Sequence, residues 1–130
     1  MRENELATEI VDAAYQVHKA LGPGLLESAY TSVLAFELRA RGLQYLQQHP
    51  IPIVYQGVHL EEGFRADLIV ERKVIVEIKS IEAVAPVHYK QLLTYLRLAD
   101  KRLGLLINFN VALIKDGITR VVNRLDDSLS

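Results

Sequence analysis

Two short apolar, β-branched runs, Leu68-Ile69-Val70 and Val74-Ile75-Val76, are separated by one polar break, Glu71-Arg72-Lys73. Runs of this kind so close together read as a tight β-hairpin with its turn at the break. A reversal centred near Arg72 pairs Val70 with Val74 and Asp67 with Glu77. Directly opposed residues of an antiparallel pair have Cβ atoms about 4.5–5.5 Å apart, so one ion could bridge both carboxylates. Alternation along the strands then sorts the faces. Ala66, Leu68 and Val70 with Val74, Val76 and Ile78 form a wholly apolar face. Asp67 and Ile69 with Ile75, Glu77 and Lys79 form the other. The same register sets Arg65 opposite Lys79, a like-charge pair that should bend or slip the pairing there.

Carboxylates embedded in apolar runs are costly unless something compensates their charge. A divalent cation does so naturally, since hard cations such as Mg²⁺ are held by one or two carboxylates together with water and phosphate oxygens. Asp67 and Glu77 are therefore the expected metal ligands, with the backbone carbonyl of Ile78 as a third oxygen. Lys79 lies on the same face, where it can orient or deprotonate a water or neutralise developing charge. A Glu-x-Lys triplet alone is commonplace on exposed hairpins. Here Ile69 and Ile75 are interleaved with the charges, and the face is not a plain solvated one.

Upstream, Leu6, Ile10, Ala14, Val17 and Leu21 recur at helical spacing and predict a helix over 4–21, ended by Gly22-Pro23-Gly24. A second helix is predicted from Leu25 to Arg41, with Gly42 as its stop and Glu27 in its first turn. A carboxylate there also favours the helix dipole, which is the plain structural reading of Glu27. Tyr45 to Tyr55 reads as an extended segment that Pro50 and Pro52 confine to a sheet edge. Gln56-Gly57 is a turn signal, and Val58 to Leu60 begins the return. Pro86 suits the first position of a third helix, with His88, Gln91 and Tyr95 on one stripe and Leu92, Leu93, Leu96 and Ala99 on the other. Leu103 to Phe109 reads as a buried strand, Lys115-Asp116-Gly117 as a hairpin turn, and Ile118 to Val122 as a last strand. The polar segment 123–130 is expected to fray. A helix between two strands fits a crossover unit, so the expected architecture is α/β, a mixed sheet with helices on both faces.

The 130 residues fit one domain, with 50% hydrophobic and 24% charged side chains, an ordinary globular balance. Cysteine is absent, which excludes disulfides and thiolate metal sites. No apolar run is long enough to span a membrane, and the polar start Met1-Arg2-Glu3-Asn4-Glu5 does not read as a secretory signal, so a cytoplasmic location is expected. A net charge of −1 argues against coating DNA by bulk electrostatics. Positive charge confined to one groove, for which Lys90, Arg97, Lys101 and Arg102 are candidates, remains compatible with a nuclease. No phosphate-binding glycine loop, nucleophilic serine elbow or cofactor fingerprint is present. The four histidines form no helical metal pair; His88 falls near the charged hairpin, and His18 is a weaker candidate for lining its pocket.

Three segments carry a family resemblance. Ala66-Asp67 with Glu77-Ile78-Lys79 resembles the core motif of the PD-(D/E)XK nuclease superfamily. Gly24-Leu25-Leu26-Glu27-Ser28-Ala29-Tyr30 is similar to the signature of the small GxxExxY proteins placed in it. Gln91-Leu92-Leu93-Thr94-Tyr95-Leu96 resembles the downstream Gln-x-x-x-Tyr helix of its lambda-exonuclease-like branch. The one departure is Ala66 in place of the proline, at a position that supplies no ligand. The resemblance implies a restriction-endonuclease-like core over residues 1–130 and a Mg²⁺ or Mn²⁺ cofactor. It also implies Glu27 as a helix-borne acid completing the metal site and Gln91 as a catalytic side chain. Tyr30, Tyr95, Lys90 and His88 are the expected substrate-binding residues.

The leading reading is a metal-dependent nuclease acting on DNA in repair, recombination or defence. The alternative is a non-catalytic module of the same fold that binds nucleic acid or protein. A third is a homodimer formed through the proline-broken edge or the 118–122 segment, with the charged face vestigial.

Overall fold

The computed structural model describes residues 1–126, apart from the side chain of Glu62. Helix α1, Glu3–Leu21, buries Leu6, Ile10, Ala13, Ala14 and Val17, the stripe that the 3.6-residue period requires. Helix α2, Glu27–Ala40, buries Tyr30, Leu34, Ala35 and Leu38. Gly42 closes α2 in the left-handed region (φ 80°), with Leu43 N–H donating to Leu38 O and Gly42 N–H to Arg39 O. These paired bonds satisfy carbonyls that the helix end would otherwise leave free. Arg41 then ties the two helices together, 2.8 Å from Asp12 and 3.2 Å from Glu37.

Among the described residues the sheet has five strands in the order β1 (Tyr45–Tyr55), β2 (Val58–Val70), β3 (Val74–Lys79), β4 (Leu103–Asn108) and β5 (Ile118–Val122). Only β3 and β4 are parallel, joined across α3 (Pro86–Ala99); the other pairs are antiparallel. The mixed sheet, flanked by helices, is the architecture expected. Leu68, Val70, Val74, Val76, Ile78, Leu103, Leu105 and Ile107 pack against α1 and α2. Ile69, Ile75 and Leu106 pack on the other side against Leu92 and Leu96 of α3. At Gly104 α3 packs close to the sheet, since a Cβ there would meet the Leu92 side chain at 2.9 Å. Burial on both faces explains why β3 reads as a nearly unbroken apolar run. Among the described residues, no helix is long and apolar enough to cross a membrane.

The hairpin register is the expected one where the ladder exists: Val70 faces Val74, Ile69 faces Ile75 and Leu68 faces Val76. Glu71 and Arg72 both take positive φ within the three-residue loop between Val70 and Val74, where Lys73 N–H donates to Val70 O. Prolines 50 and 52 lie on β1, which is an edge of the sheet. Ala66 departs from expectation: it packs with Ile51, Ile69, Leu92 and Leu96 on the α3 side, not with Leu68 and Val70. Beyond Leu68 the paired register of β2 with β3 stops, and opposite Asp67 the β1 residue Gln48 adopts φ 50°. The long hairpin is free to twist there, and Ala66 turns with it.

The C-terminal connection also departs from the sequence reading. Lys115, Asp116 and Gly117 belong to a short 3₁₀ turn, Ile114–Gly117, within a longer link from β4 to β5 and not to a tight hairpin. Within the segment expected to fray, Asn123 is buried, donating its side-chain amide to Lys101 O and its N–H to Arg102 O. Residues 127–130 lie outside the described part.

Candidate active site

The pairing of β2 with β3 ends one residue short of the two acids. At that point the Asp67 carboxylate takes over a backbone role: its Oδ2 accepts from Ile78 N–H at 2.8 Å, while its Oδ1 accepts from Gln48 Nε2 at 3.3 Å. Glu77, opposite Leu106 in the parallel β3–β4 pair, is only 7% exposed, and its Oε1 has no hydrogen-bond partner among the described residues. Burial, and then the adjacent Asp67 carboxylate, push the Glu77 carboxyl up to about 9, with Lys79 pulling the other way. Tyr95 is raised as well, first by burial and then by the negative potential of Glu77 and Asp67.

These side chains line a polar pocket of about 170 Å³ together with Glu27, Arg65, Lys79, His88, Gln91 and Leu106. Each element contributes by its own periodicity. Asp67 and Arg65 are two apart on β2, Glu77 and Lys79 two apart on β3, and His88, Gln91 and Tyr95 occupy one stripe of α3. His88 Nδ1 accepts from Ala85 N–H at 3.0 Å, so the neutral ring carries its proton on Nε2 and can donate from there. Tyr95 is stacked on Phe64 with ring centroids 3.4 Å apart. On the opposite wall, Glu27 Oε2 accepts from Ser80 N–H at 3.2 Å. The loop after β3 is held in turn by the buried Asn108, whose amide bonds both N–H and C=O of Ile81.

The pocket gathers Glu27, Asp67, Glu77, Lys79, His88, Gln91 and Tyr95 from among the expected site residues, and Ile78 beside it supplies backbone while its side chain lies in the α1–α2 core. Three of the expected residues lie outside the pocket lining. Tyr30 is fully buried: it stacks on Phe109 at 4.5 Å, donates its hydroxyl to Gly22 O and accepts from Leu25 N–H, so it shapes the loop before α2. Lys90 is exposed on α3 but is not a wall of the pocket, because it lies one residue off the stripe that faces the sheet. His18 is buried elsewhere, with Nε2 bonded to Val111 O at 2.8 Å. Arg65, noted from the sequence only as an awkward neighbour of Lys79, is a wall of the pocket. Gln48 gave no sequence signal, since neither its backbone conformation nor its reach to Asp67 can be read from strand alternation.

A family model describing the PD-(D/E)XK nuclease superfamily matches residues 4–121, a span that includes every element of this pocket. The chain belongs to the PD-(D/E)XK nuclease superfamily. Members of the superfamily are nucleases, hence hydrolases of nucleic acid, and generally use divalent metal ions. Comparisons with curated proteins and with solved structures gave no match.

The residues present fit a divalent ion. A buried carboxylate with an orphaned oxygen, beside a second carboxylate, is costly in a protein interior and is relieved by a cation. Asp67, Glu77 and the Ile78 carbonyl are the groups that would hold it. Among the described residues no three His, Asp or Glu side chains gather closely enough to hold one ion. The three-carboxylate set expected from the sequence is therefore not assembled here, and Glu27 is engaged by the backbone of Ser80 instead.

Proposed function

We propose that this protein is a Mg²⁺- or Mn²⁺-dependent nuclease that hydrolyses phosphodiester bonds in DNA. The observation that carries the reading is the buried, unpartnered Oε1 of Glu77 beside Asp67, in a small polar pocket that also contains Lys79. Asp67, Glu77 and the Ile78 carbonyl hold the cation. When bound, such an ion lowers the pKa of a water and stabilises charge on a phosphoryl oxygen. Lys79 holds the attacking water or offsets negative charge growing on the phosphate. Gln91 and Tyr95 donate hydrogen bonds to the substrate backbone from α3, and the Nε2–H of His88 adds a donor on the same stripe. Ile69 and Ile75, next along the strands from the acids and buried against α3, exclude bulk water from that side, which strengthens each of these interactions.

The test begins with calorimetric titration of Mn²⁺ into wild type and Asp67→Ala. Cleavage assays on single- and double-stranded DNA and RNA follow. Metal binding and DNA cleavage that Asp67→Ala lacks are the expected result. Oligonucleotide binding with no cleavage in either metal would replace this reading by a non-catalytic module of the same fold.

A further inference from the structure

Arg65 and Lys79 bring two cations to one small pocket. Each lies two residues beyond a carboxylate on its own strand, Arg65 before Asp67 and Lys79 after Glu77, and both line the pocket of the acids. Neither forms an ion pair within 4 Å among the described residues. Arg65 is also held in place: its Nη1 donates to the backbone carbonyl of Gln48 at 3.3 Å. Gln48 sits at φ 50° inside an extended strand, a conformation that L-residues other than glycine rarely adopt. The same residue sends its side-chain amide to Asp67 Oδ1. One strained position on the edge strand thus contacts both the acid and the cation of β2, and strain of this kind concentrates at binding sites.

We propose that Arg65 is a phosphate-binding residue of the pocket. It takes a backbone phosphate next to the scissile one, with Gln48 as its positioning residue. One guanidinium donor is used by Gln48, which leaves four of the five for phosphate oxygens. Arg65 also borders a neighbouring cleft with Pro50, Glu61 and Phe64, and so stands between the reacting centre and the path by which a strand would continue. Through that contact Arg65 would favour a polynucleotide over an isolated phosphodiester. This inference rests on the nuclease reading above and adds a second phosphate to it.

The experiment compares wild type, Arg65→Ala and Arg65→Lys on two substrates, a short DNA oligonucleotide and bis(p-nitrophenyl) phosphate, which has no neighbouring phosphate. Arg65→Ala should lose at least about tenfold more in kcat/KM on the oligonucleotide than on the small diester, chiefly through KM. The slope of log affinity against log salt should fall by about one. Arg65→Lys should recover part of the loss. Equal losses on both substrates, with wild-type cleavage intact, overturn the second phosphate site and leave the nuclease reading standing. If wild type cleaves neither substrate in Mg²⁺ or Mn²⁺, the nuclease reading falls, and fluorescence anisotropy with the oligonucleotide decides the phosphate site. Weaker binding by Arg65→Ala supports the site; equal binding, or no binding by wild type, overturns it. Thermal melting of each variant confirms that it is folded.

Discussion

Oδ2 of Asp67 accepts the backbone N–H of Ile78 at 2.8 Å, so a side chain proposed as a metal ligand also completes the β2–β3 pairing where the ladder stops. This dual role means that Asp67 can be tested for structure and for chemistry in the same variants.

Asp67→Asn and Asp67→Ala both remove the charge, but only Asn keeps an acceptor for Ile78 N–H. In metal-free urea denaturation Asp67→Ala should therefore be less stable than Asp67→Asn by about 1–3 kcal/mol, the cost of a buried donor left unpaired. Both variants should bind Mn²⁺ at least about tenfold more weakly than wild type. Equal stability of the two variants would mean that the Ile78 bond contributes nothing.

Glu77 predicts the pH dependence of the metal-free fold. Its carboxyl is raised from 4.5 to about 9 on folding, so between those values folding takes up a proton. The contribution is fully present below the lower value and is lost as the pH rises through the upper one. Melting temperatures in EDTA should fall across this window. Glu77→Gln, neutral throughout, should flatten the fall and melt higher than wild type near the alkaline end. Parallel pH profiles for the two proteins would show that Glu77 does not titrate in this way.

Lys79→Ala should reduce DNA hydrolysis by about 100-fold or more, in the range of a lost acid–base or charge-stabilising group, while Mn²⁺ affinity stays within about threefold. An ammonium is no metal ligand, and this variant separates the two roles. Activity retained within about threefold, a barrier change under ~1 kcal/mol, would make Lys79 a structural residue.

Tyr30→Phe keeps the stack on Phe109 and deletes the hydroxyl that joins Gly22 O to Leu25 N–H. The expected cost is about 1–3 kcal/mol of stability in urea denaturation, with KM for DNA within about twofold of wild type. A large KM change at unchanged stability would return Tyr30 to the substrate-binding set.

Much of this arrangement was legible in one dimension. The polar break between two apolar runs located the β2–β3 turn, and a period of two placed Asp67, Glu77 and Lys79 on one face. A period near 3.6 put His88, Gln91 and Tyr95 on one stripe of α3. Each of these is a local consequence of backbone geometry, which residue spacing alone determines. Other features depend on which surfaces meet. Glu27 faces the pocket because α2 packs over the sheet beside β3, and its carboxylate is engaged by Ser80 because Asn108 holds the following loop. The motif around Tyr30 reads the same whether its ring points to substrate or to the core, and only the packing of Phe109 decides for the core. The αL kink at Gln48, which bonds both Arg65 and Asp67, follows from the twist of a long hairpin whose partner β3 pairs with only part of it. Even the unusual state of Glu77 is tertiary: its carboxylate is an ordinary one in the chain, made costly by the water excluded from around it. Spacing along the sequence sets which side chains can share a face, and packing between elements sets which of them lose their water.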